Sequence, residues 1–77
     1  MKLVHITWND SFSIDKWSLK ELVVIESQKL MECHTVGYIL SRTRQAVTIC
    51  HTTNSEGMVC GAIQIPRKCI IKIEPIC

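Results

Sequence analysis

Cysteine and histidine stand side by side twice in this chain, at Cys33-His34 and Cys50-His51. Both residue types bind metals, and both serve nucleophilic catalysis. Spacing argues against a metal, because adjacent residues of a strand point to opposite faces and one dipeptide cannot easily supply two ligands. With "SRTRQ" as a hairpin tip, Cys33 and Cys50 fall out of register with each other, and no C-x-x-C or H-x-x-x-H spacing occurs. No third group suggests itself to orient a Cys/His pair, and a short chain leaves little room for a deep, water-excluding cleft. The expectation is therefore no enzyme, no metal and no cofactor.

Recognition chemistry is better represented. Asp10 and Ser11 follow a tryptophan and suit turn hydrogen bonds, or, in a binding site, acceptance from a base edge or ribose. Trp17 and Tyr38 offer faces for stacking on a ring. Arg67 and Lys68 follow Pro66 in "PRKC", where a tight turn would offer them, with backbone N–H groups, to a phosphate. These six residues are the candidate ligand or partner contacts.

The elements that must carry them can be read from periodicity. "KLVHITW" (residues 2–8) alternates Val4, Ile6 and Trp8 with Leu3, His5 and Thr7, which is a strand pattern with Trp8 turned to the core. "NDSFS" is a turn. Ser18 and Glu21 stand in the S-x-x-E relation of a capping box, so one to two helical turns are expected near residues 18–24. The β-branched run Val23-Val24-Ile25 argues against a longer helix. Trp17, at the front of that helix, either clamps it onto the sheet or stands exposed as an anchor for a partner.

Residues 30–41 return to strand, with Val36, Tyr38 and Leu40 on one face and Gly37 suggesting a bulge or sharp coil. "AVTICHT" runs back with Val47 and Ile49 aligned. "TNSEG" turns the chain, and "VCGAIQI" puts Val59, Ile63 and Ile65 on one side of the strand, with Gly61 between them. Pro66 ends that strand. "PRKC" fits one tight helical turn, and "IIKIEPI" closes with Ile71 and Ile73 in phase. Five short strands with regular turns predict an all-β fold, and at this length a small five-stranded barrel with one short helix between strands 1 and 2.

The whole chain is one domain of 77 residues, small enough to need help beyond its own core. Disulfides are not the expected help. The first residues carry no long apolar run or cleavage site, so a reducing compartment and five free thiols packing as small hydrophobes are anticipated. No stretch of 18 uncharged apolar residues occurs, which predicts no membrane span. A formal net charge of +2 gives nucleic-acid binding little support by composition, although Arg42 and Arg44 add to the turn cations. Self-association remains, and the isoleucine-rich "CIIKIEPIC" is its candidate edge strand.

Meandering strands, a one-turn helix after Ile65-Pro66 and a short closing strand resemble the SH3-like and Sm-like small barrels. A second resemblance covers most of the chain. Ile6-Thr7-Trp8, Asp10-Ser11, Trp17, Val36-Gly37-Tyr38 and Ile65-Pro66-Arg67-Lys68-Cys69-Ile70 are similar to the pattern of short proteins of tailed phages and prophages. The five cysteines depart from that pattern. The resemblance implies a viral accessory protein in the cytoplasm of a bacterial host, and it carries over no catalytic residue. The expectations are then a non-catalytic, homo-oligomeric binding module, serving counter-defence by binding a host protein or sequestering a nucleotide-like signal. The alternatives are an Sm-like or SH3-like nucleic-acid binder, told apart by steep salt dependence, and a minor virion or assembly component.

Overall fold

The computed structural model describes residues 1–10, 16–28 and 31–76. Strand β1 (Leu3–Asn9) leads to helix α1 (Lys20–Ser27), followed by β2 (Glu32–Arg42), β3 (Ala46–Thr53) and β4 (Val59–Pro66). A 3-10 turn (Arg67–Cys69) connects β4 to β5 (Ile70–Pro75). All neighbouring strands are antiparallel, in the order β4-β3-β2-β1-β5. The architecture is thus one open five-stranded sheet with one short helix. No described ladder joins β4 to β5, so hydrogen bonding does not close the sheet into the anticipated barrel.

One face of the sheet carries the core. Val4 and Ile6 of β1, Val47 and Ile49 of β3 and Ile65 of β4 are buried together, with Trp8, Ile39, Ile70 and Ile73 packed around them. The period-two pattern of β1 does what it implies, and Trp8 also donates its indole N–H to Thr35 Oγ1 at 2.9 Å. Each fully buried isoleucine contributes about 2–3 kcal/mol over an exposed one. With so few of them, the core is small for its chain.

Local features depart from the sequence reading in six places. Helix α1 begins at Lys20, with Leu19 as its N-cap and no side-chain cap. Ser18 Oγ donates instead to the Lys16 carbonyl at 3.3 Å, so the Ser18/Glu21 capping box does not form. The helix also runs through Val23-Val24-Ile25, and none of its residues is buried. In β2, the face of Val36, Tyr38 and Leu40 is the outer one. Gly37 and Ile39 face the core, because Val4 pairs with Gly37.

Gly37 itself makes no bulge. Its pairing with β1 is regular, and the irregularity between β2 and β3 falls between Ile39 and Ser41. The glycine is there because a Cβ would sit 2.7 Å from the Cys50 carbonyl oxygen. The β2–β3 register also differs from one centred on "SRTRQ", with Tyr38 facing Cys50 and Ile39 facing Ile49. Cys33 of β2 pairs with Trp8 of β1, whereas Cys50 pairs with Tyr38, well along β2 from Cys33. In β5 the apolar pair turned to the core is Ile70 and Ile73, and Ile71 is exposed. A register shift between Thr7 and Trp8 accounts for this: Lys72 faces Thr7 but Ile70 faces Trp8, so the extra residue reverses the alternation.

Other readings agree. Pro66 ends β4 and "RKC" forms one 3-10 turn. Gly57 (φ 80°) sits in the β3–β4 turn, where Asn54 Oδ1 accepts from the Glu56 and Met58 N–H groups, both at 3.0 Å. Gly61 (φ 71°) adopts a conformation that side chains disfavour, and a Cβ there would run into the His51 ring. Among the described residues Cys33, Cys50, Cys60 and Cys69 are free thiols, but only Cys50 is buried as the packing reading anticipates, and Cys60 is exposed.

Candidate functional site

The basic residues gather where the β2–β3 turn meets the 3-10 turn. Thr43 builds the first of these turns. Its Oγ1 accepts from the Gln45 and Ala46 N–H groups at 3.2 and 3.1 Å, while its own N–H donates to the Ala46 carbonyl at 2.9 Å. Such hydroxyl-to-backbone bonds fix a tight loop and leave its middle residues projecting. Pro66 then faces Ala46 at the end of the β3–β4 ladder, which delivers Arg67 directly beneath the loop.

Arg67 is held there twice. Its backbone N–H donates to the Gln45 carbonyl at 2.8 Å, and its side-chain Nε donates to the Thr43 carbonyl at 3.0 Å. Using Nε fixes the plane of the guanidinium and leaves its two terminal nitrogens as donors. Arg44, Gln45, Pro66, Arg67 and Lys68 surround a surface hollow of about 480 Å³. Three cations thus line one hollow, and the backbone orients one of them. The backbone N–H of Arg67 itself is engaged by the Gln45 carbonyl.

Of the six candidate residues, Arg67 and Lys68 share this hollow. Arg44, noted in the sequence only as a turn cation, joins them. Trp17 lies in a different hollow of about 420 Å³, with Lys16, Ser18, Leu19, Leu22, Val23 and Glu26, and is fully exposed. Tyr38 is half-buried on the outer face of β2, opposite Leu3 and Cys50. Asp10 follows β1 and its backbone N–H donates to the Met31 carbonyl at 2.9 Å. Ser11 lies outside the described residues.

The outer face also holds a polar chain that residue types alone did not reveal. His5 Nε2 and His34 Nδ1 are hydrogen-bonded at 2.9 Å, and Thr7 Oγ1 lies 3.5 Å from the same His34 nitrogen. His5 Nδ1 is 3.5 Å from Glu74 Oε1, which Lys72 Nζ approaches to 3.4 Å. These groups come from β5, β1 and β2. Their meeting depends on β5 pairing beside β1, which adjacency in sequence does not indicate. Among the described residues, no group of three or more His, Cys, Asp or Glu side chains is arranged to hold a metal ion. Also among them, no helix is long and apolar enough to cross a membrane.

Fold and site together define a small all-β protein with a basic hollow at one end of its sheet. No protein-family model matches the chain, and no curated protein or solved structure matches it.

Proposed function

We propose that the chain is a non-catalytic binding module whose hollow of Arg44, Arg67 and Lys68 takes a phosphate-bearing small molecule of the nucleotide type. The observation that carries this reading is the double tether of Arg67 to Gln45 and Thr43, which orients a guanidinium beside two further cations. Ordering costs are met before the ligand arrives, which favours affinity. The strand order and the 3-10 turn between β4 and β5 support taking the open sheet as an SH3-like or Sm-like barrel opened at one seam. The phage-like residue pattern supports an accessory role inside a bacterial host, with counter-defence by sequestering a nucleotide-like signal as its purpose.

Calorimetry with inorganic phosphate and with linear and cyclic nucleotides tests the reading. Saturable heat that disappears in the Arg67→Ala, Lys68→Ala double variant is expected; no heat above buffer at high micromolar ligand overturns it. The same three cations favour a second reading, binding of a single-stranded nucleic acid. In that case an oligonucleotide binds with affinity falling steeply as salt rises, while a mononucleotide gives no heat.

A further inference from the structure

Helix α1 and residues 16–19 before it form an arm whose apolar side chains face water. Trp17 is 104% exposed, Leu19 67%, Leu22 56% and Ile25 54%. Eight helical residues do not hold together alone in water, since short helices draw their stability from packing an apolar face. Something must cover this one.

The size of the uncovered surface says what. The chain exposes 6174 Å², against about 4,800 Å² for a compact monomer of 8.8 kDa, a surplus of about 1,400 Å². A stable protein–protein interface needs about 800 Å² from each partner. The shape agrees: the radius of gyration is 15.6 Å, where about 11–12 Å is usual for 77 residues, and the longest extent is 51 Å against 23 and 20 Å.

A receptor for the arm exists on the same chain. Toward the far end of β3 and β4 the core face of the sheet continues uncovered, as a hollow of about 240 Å³ lined by Thr35, Ile49, His51, Gly61 and Ile63 among others. Ile63 stands on the same face as buried Ile65 yet is 37% exposed. The His51 ring packs directly over Gly61 at one side of this hollow. Trp17 and Leu22 line a different hollow from this one.

We propose that the arm of one chain packs on the uncovered β3–β4 core face of a second copy, Trp17 entering the hollow beside Ile49, Gly61 and Ile63. A reciprocal exchange covers both arms and both hollows at once, which is the economy of a two-fold, swapped dimer. The charges of the arm agree with a protein partner. Lys16 and Lys20 are matched by Glu21 and Glu26, whereas a helix for an anionic membrane or a nucleic acid carries an excess of cations. This assembly is independent of the anion site, which lies at the other end of β3.

Light scattering on the full chain is the test. A particle of twice the composition mass is expected, and a monomer at about 100 µM overturns the proposal. Trp17→Ser, a change at a site outside the core, is expected to weaken association by about tenfold or more while leaving the far-ultraviolet circular dichroism of the sheet unchanged. Ile63→Gln tests the receiving face and is expected to do the same. A dimer that persists unweakened in both variants overturns the arm as its contact and points to pairing of strand edges instead.

Discussion

His5 and His34 meet ring to ring on the outer face, their nitrogens 2.9 Å apart and their ring centroids 5.1 Å apart. Sharing one proton across that gap requires one of the two nitrogens to be bare. The bond therefore ties β1 to β2 through side chains of the outer face. Because the pair is exposed, its net value is modest. A double-mutant cycle of His5→Ala and His34→Ala, read by urea unfolding, is expected to return a coupling of about 0.5–1 kcal/mol.

Trp8 is expected to show a different kind of loss. Its ring packs against the core while its N–H donates to Thr35 Oγ1. Trp8→Phe keeps most of the apolar contact and removes the donor, so a cost of about 1–2 kcal/mol is expected. Thr35→Val strands the same N–H and should cost about as much. In combination the two should cost less than their sum, measured by chemical denaturation.

The three glycines should separate cleanly under substitution by alanine. Gly57 has a positive φ and open space around it, so Gly57→Ala should cost about 1 kcal/mol for backbone conformation alone. Gly37→Ala pushes a methyl against a ladder carbonyl that cannot move without disturbing β3, and should cost about 2–3 kcal/mol. Gly61→Ala meets the ring of exposed His51, which can rotate aside. His51→Ala is therefore expected to rescue Gly61→Ala in part and to leave Gly37→Ala unchanged, as thermal midpoints would record.

Removing Arg67 should affect two measurements at once. Arg67→Lys keeps a cation but cannot reproduce the Nε bond to Thr43, so stability should fall by about 1 kcal/mol. If the hollow takes phosphate as proposed, affinity should fall about tenfold with it. Lys68→Ala, whose side chain makes no described tether, should lower affinity with stability nearly unchanged.

Much of the sheet is legible from alternation alone, since Val4, Ile6, Val47, Ile49 and Ile65 all mark the buried face. What alternation misses are the two register shifts. A single extra residue opposite Thr7-Trp8 exchanges Ile71 for its neighbour Ile70, and no local pattern announces it. The outward face of β2 misleads for a related reason. Val36 and Leu40 are apolar, whereas the inward positions are Thr35, a glycine and Ile39, so hydrophobicity points the wrong way wherever close backbone approach excludes a side chain. At the basic hollow, "PRKC" was visible as a pair of cations. Its partner Arg44 and its tether to Thr43 depend on how two separate turns meet, which is tertiary information.

Strand β1 stands between β2 and β5, and its partners arrive very unequally. Val4 pairs with Gly37 across one side and with Pro75 across the other. The first pairing closes a modest loop, but the second joins the two extremes of the described chain and must wait for nearly all of it. Contacts of such long sequence separation form late and slowly. The meander of β2, β3 and β4 should therefore be structured in the folding transition state, with β5 docking afterwards. Ile49→Val is then expected to slow folding, and Ile73→Val chiefly to speed unfolding. While a nascent chain lacks β5, the free edge of β1 lies bare beside a half-covered core, and that interval is when the protein is most open to aggregation.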